Sequence, residues 1–158
     1  MVEIIRPVRH GILIGLLGII FGVVWAFWLA LGHEVIVNKL DATMKQDVVQ
    51  KEEVIKVSFK RLGMGHSHSM GLGLVAIAVS FILAFTTASN KLKAAGSLLS
   101  GLGGIIFPVA WIIMGCKTPV LGIDGAHAAV TPLAGIGVIL ILSGLFIALG
   151  CLIRDALK

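Results

Sequence analysis

The run Met64-Gly65-His66-Ser67-His68-Ser69-Met70-Gly71-Leu72-Gly73 gathers two imidazoles and two thioethers into a few residues. Imidazole nitrogen and thioether sulfur are ligands suited to haem iron and to copper, Cu(I) above all. In a helical run each residue turns ~100°, so His66 and His68 project ~200° apart and cannot chelate one ion together. His66 and Met70, four residues apart, share a face. Further groups of the same chemistry lie at His33, His127, Met114 and Cys116. A haem-binding reading takes His68 and His66 with His33 and His127, pairing His68 with His33 or His127 across one iron. A copper reading takes His66, His68, Met64, Met70, Met114 and Cys116. Zinc is disfavoured, because no carboxylate-rich or paired-cysteine spacing occurs. A plainer reading stays open beside these: histidine tolerated at a membrane interface and methionine filling gaps. A quinone or another small ligand is the remaining alternative.

The elements that must position these groups are membrane spans. The chain has 158 residues, 58% of them hydrophobic and 13% charged, and a mean hydropathy of +1.05. Soluble domains carry about a quarter charged residues. A span needs ~20 apolar residues to cross ~30 Å of hydrocarbon, and four stretches qualify. They run from Gly11 to Gly32, Met70 to Ala88, Ala94 to Cys116, and Pro132 to Ile153, the last opened by Thr131 as N-cap and Pro132 at the first helical position. The expected fold class is all-α: an integral membrane four-helix up-down-up-down bundle forming one transmembrane domain. The first span, longer than a signal core and carrying Trp25 and Trp28, is expected to be retained.

Between the first two spans, residues 33–65 form a helical extramembrane loop in this reading. Val37, Leu40, Met44, Val48, Ile55, Phe59 and Leu62 trace one apolar stripe among charges, fit to cap the bundle or dock a partner. Gly63 and Gly65 are expected to loosen the chain just before the second span. His33, His66, His68 and His127 then collect at one end of the bundle, with His10 at the other. Trp25, Trp28 and Trp111 form an aromatic rim near the histidine end. Arg6 and Arg9 precede the first span and Glu34 follows it, which reads as N-in and C-in with the histidine-rich end outside.

Small residues recur at helix-packing intervals: Gly18 and Gly22; Gly96, Ser100 and Gly104; Gly137 and Gly144. Pro108 is expected to kink the third span. No span holds Asp, Glu, Lys or Arg, which argues against proton pumps and ion-coupled transporters. The net charge of +5 comes from the flanks of the spans, and no basic patch interleaved with aromatics points to nucleic acid. Cys116 and Cys151 lie at opposite ends of the bundle, too far apart to pair. Asp124 either orients His127 or shapes a turn between Gly122 and Gly125. No phosphate-cradling loop, serine triad or paired carboxylate site is visible.

The residues His66, His68, Leu72 and Gly73 resemble the His-x-His-x-x-x-Leu-Gly run that opens a haem-binding helix in haem-copper oxidase-like membrane subunits. The resemblance implies an axial histidine for a b-type haem and covers eight residues, without those proteins' other helices and ligands. The Gly-His-x-His-x-Met-Gly-Leu run is also similar to small uncharacterised four-span bacterial membrane proteins. Together these readings predict a small subunit of a membrane redox complex, holding haem b or copper at the outer rim of a bacterial inner membrane. They favour an electron-transfer or non-catalytic subunit over a stand-alone enzyme. The alternatives are a cofactor-free scaffold docking a partner subunit through 33–65, and a metal-handling transporter.

Overall fold

A computed structural model describes residues 2–44 and 51–158; Val48 of the apolar stripe lies outside the described residues. Among these residues every regular element is helical: α1 (Val2–Ile5), a 3-10 turn (Arg6–Val8), α2 (Arg9–Leu31), α3 (His33–Ala42), α4 (Lys51–Phe85) and α5 (Asn90–Ala156). Three stretches are long and apolar enough to cross a membrane: Glu3–Leu31, Lys51–Phe85 and Asn90–Ala156. Polarity is arranged as lipid contact requires. Phe27, Leu31, Phe85 and Phe146 are exposed, whereas Ser58, Ser69, Ser80, Ser97, Ser100 and Thr118 are buried. In hydrocarbon a polar group must find a partner inside the protein, and apolar side chains lose nothing by facing outward.

A straight helix of 67 residues would be ~100 Å long at 1.5 Å per residue. α5 does not run straight. Gly122 has φ 75° and ψ 174°, and the chain reverses there. Across the reversal Gly96 meets Ile147, Ser100 meets Gly144, Gly103 meets Ile141, and Phe107 meets Gly137. Ala110 and Met114 share a small core with Ala126 and Val130. Each pairing is nearly equidistant from residue 122, so arms 90–121 and 123–156 pack antiparallel. The boundary therefore differs from the one expected at Thr131 and Pro132. Residues 123–131 are already helical, and the Thr131 hydroxyl donates to the His127 carbonyl one turn back (2.8 Å). The reversal demands a positive φ that only glycine adopts without strain, which moves the boundary to Gly122.

α4 also departs from expectation. It continues through Gly63 and Gly65 without a break. Gly65 serves packing: a Cβ there would lie 3.2 Å from the Pro108 carbonyl oxygen and press on Ile112. α4 is antiparallel to both neighbours. Against α2, a Cβ on Gly15 would lie 2.7 Å from the Gly73 carbonyl oxygen, and one on Gly73 would lie 2.6 Å from that of Gly15. Gly22 packs on Met70 and on the His66 carbonyl.

Buried hydroxyls tie the same interfaces together. Ser69 donates to the Gly18 carbonyl (2.7 Å) and Ser58 to the Gly115 carbonyl (2.5 Å). Ser80 and Ser97 share a hydrogen bond (2.8 Å), and Ser97 reaches the Val8 carbonyl (3.0 Å). Interhelical hydrogen bonds in membranes average ~0.6 kcal/mol, so backbone proximity carries the larger share of the packing. At the 86–89 connection the Lys93 ammonium donates to the Ala84 carbonyl (2.9 Å), closing the C-terminus of α4.

Candidate functional site

His33 and His66 line one groove from different helices. His33 is the first residue of α3, and its ring meets Phe59 of α4 edge-on at a centroid distance of 4.7 Å. His66 stands two helical turns below Phe59, ~10 Å along the axis. Its level on α4 is set by Gly22, which lets α2 touch the His66 carbonyl. Between these two levels lies an open groove of about 400 Å³, lined by Ala26, Leu29, Ala30, His33, Phe59 and His66. Ala26 and Ala30, one turn apart on α2, leave the space that larger side chains would fill. The His66 Nδ1 atom is buried and has no hydrogen-bond partner. Buried polar atoms are nearly always satisfied, so such an exception calls for an explanation.

His68 faces elsewhere, as the ~200° separation from His66 requires. Its ring sits 5.1 Å from Phe107 and 5.6 Å from Trp111, in an aromatic setting supplied by the first arm of α5. Met70 covers Gly22. Met64 is half-buried. Met114 is buried between the two arms of α5. Cys116 is exposed and borders a separate cavity of about 210 Å³ with Trp25, Trp28, Ile36, Lys39 and Leu62. His127 is exposed on the second arm, ten residues past the level of Lys117 by sequence but opposite it across the reversal.

The groove therefore brings together His33 and His66, and the other sequence-predicted ligands lie outside its lining. Two ligands on one ion must face each other across ~4 Å, with each metal–nitrogen bond near 2 Å. Phe59, which the His33 ring touches, and His66 are two turns apart on α4, which favours separate contacts over one shared ion. Among the described residues no cluster of three or more His, Cys, Asp or Glu side chains is placed to hold a metal ion.

Two participants escaped the sequence reading. Phe59 stood there as one position of an apolar stripe, and its contact with His33 depends on how α3 folds back over α4. Arg61 is buried, and its Nη1 donates to the Thr118 hydroxyl (2.8 Å) and the Ile123 carbonyl (3.1 Å). It thereby holds α4 to both sides of the Gly122 reversal. The signal was an arginine next to Leu62 within the stripe, on a helix whose other cations Lys51, Lys56 and Lys60 are exposed.

No protein family, curated protein or solved structure matches the chain.

Proposed function

We propose that this chain is a small membrane subunit carrying a redox-active group for an electron-transfer complex, held in the groove between α2 and α4. The observation that carries this reading is the pair of imidazoles, His33 and His66, lining one groove from separate helices. In this proposal the two arms of α5 cross the membrane separately. The result is four antiparallel crossings with both termini in the cytoplasm of a bacterial cell and the groove toward the outer rim. Haem b and copper are the groups suggested by the histidine run. The spacing of His33 and His66 favours a ligand that touches each imidazole separately over a single ion held between them.

The test is purification of the chain from its own membranes in mild detergent, followed by ultraviolet–visible spectra before and after dithionite, with iron and copper analysis. A reducible group is expected to co-purify and to be lost in the His33→Ala/His66→Ala double variant. A preparation with no reducible group, iron or copper sinks the proposal.

A second reading, a cofactor-free docking subunit, is favoured by one surface. Phe27, Leu31 and Val35 stand at four-residue intervals across the α2–α3 junction and are 65%, 86% and 58% exposed. Such a stripe is suited to a helix of a partner subunit. The expected outcome for this reading is that Leu31→Asn removes a co-purifying subunit and leaves the chain folded. Retention of every co-purifying subunit counts against it.

A further inference from the structure

The groove is apolar in the middle and polar at both ends. Its lining contains no carboxylate, ammonium or guanidinium group: Ala26, Leu29 and Ala30 form the middle, with Phe59 beside His33 at one end and His66 at the other. A charged ligand would find no counter-ion there and would be desolvated at high cost. A neutral ligand with polar atoms at opposite ends of a flat apolar body has the matching shape. A six-membered ring with a carbonyl at each end, extended on both sides by a hydrogen bond of ~2.8 Å, reaches ~10 Å, about the rise along α4 from Phe59, beside His33, to His66.

We infer that the groove between α2 and α4 is a quinone site, in which His33 and His66 hydrogen-bond the two opposed ring oxygens. The inference rests on the reading of this groove as a redox-group site and names the chemical class of the group. A neutral imidazole has one donor and one acceptor nitrogen. The same pair of side chains can thus donate to the two carbonyls of a quinone or accept from the two hydroxyls of a quinol. Phe59 offers a ring face or edge to the quinone. The groove is open, and its walls belong to the apolar part of α2, so an isoprenoid tail leaves directly into the bilayer. The volume of about 400 Å³ is within the range of small-molecule pockets.

The experiment uses the full chain in phosphatidylcholine nanodiscs, titrated with a short-tailed ubiquinone carrying ¹³C-labelled carbonyls. Saturable binding of one quinone per chain is expected, with both carbonyl stretches shifted down in the infrared spectrum. His66→Ala and His33→Ala should each weaken binding about tenfold and restore one carbonyl stretch to its unbound frequency. Ala30→Phe fills the groove and keeps both imidazoles in the chain, and it should abolish binding while the chain stays folded. His127→Ala should change nothing. Quinone uptake that does not saturate, or that is equal in wild type, His66→Ala and Ala30→Phe, overturns the inference. Stoichiometric haem binding in the same nanodiscs that is lost in His66→Ala, with no quinone bound, overturns it too but leaves the redox-group reading standing. Binding of no quinone, haem or copper takes down both.

Discussion

Arg61 ties α4 to the reversal of α5. A guanidinium withdrawn from water needs all its hydrogen bonds, and here two of them go to Thr118 and to the Ile123 carbonyl on opposite sides of the α5 reversal. Hydrogen bonds to charged groups contribute about 1.5–3 kcal/mol. Arg61→Ala should therefore lower the midpoint of thermal unfolding in detergent by several degrees. A double-mutant cycle with Thr118→Ala should return a coupling of about 1 kcal/mol or more, and strict additivity would deny the contact. His68 makes a complementary case. It packs against Phe107 and Trp111, so His68→Phe should preserve both stability and the content of any co-purifying group, whereas His66→Ala should lose the group. Equal loss in the two variants would move the site from the groove to the aromatic setting.

Among the elements, α2 and α4 are held by mutual approach of backbone to backbone, and this fixes their register. Gly15 and Gly73 each stand where a Cβ would strike the other's carbonyl oxygen. Gly73→Leu should force the helices apart at a cost of about 1–3 kcal/mol, with the His66 level displaced along with them. Gly71→Leu, where no atom lies within 4 Å of a Cβ, is the control and should be nearly silent in the same unfolding assay. The reversal of α5 is equally local. Gly122 adopts a φ,ψ combination available almost only to glycine, and Gly122→Ala should cost about 1–3 kcal/mol although nothing stands near its Cβ. Glycine spacing made the faces through Gly18 and Gly22, through Gly96 and Gly104, and through Gly137 and Gly144 readable in advance, because it depends only on neighbours along one helix, whereas the Gly15–Gly73 approach was not. The helix boundaries were not readable in the same way. Gly63 and Gly65 look like breakers in isolation, and Thr131-Pro132 looks like a cap, until the partner helices that use or bypass them are known.

The whole molecule is organised with its polar connections at the two ends and its apolar surface between. Membrane character was legible from hydropathy alone. The placing of His33 and His66 on one groove, with His68, His127, Met114 and Cys116 outside its lining, follows from helix rotation and register across several interfaces, which no single segment encodes. The proposed four crossings place tags at Met1 and Lys158 on one face of the membrane and Cys116 on the other. A membrane-impermeant maleimide added to intact cells should label exposed Cys116 and spare a cysteine introduced at Lys158; labelling of both would rule out that topology. At the end that carries the chain termini, the Asp155 carboxylate accepts from the Thr87 hydroxyl and the Thr87 backbone N–H, both at 2.5 Å. Those two bonds, helped by Arg154, hold its acidity at about 2, below the ordinary value of ~3.9. A lowered carboxylate pKa stabilises the fold above the ordinary value and ceases to do so as pH falls toward 2. The difference in unfolding midpoint between wild type and Asp155→Asn should thus be constant near neutrality and shrink between about pH 4 and pH 2.

The mirror-like pairing of the arms about Gly122 also determines where this chain tolerates a change of length. One residue added to a single arm would rotate everything beyond it by ~100° and carry Gly137 and Gly144 out of their seats on Phe107 and Ser100. Matched additions close to the reversal, one per arm, would restore only the equal distances and not the angular alignment. Within α5, growth and trimming are therefore excluded from the paired arms, and the hairpin behaves as a part of fixed gauge.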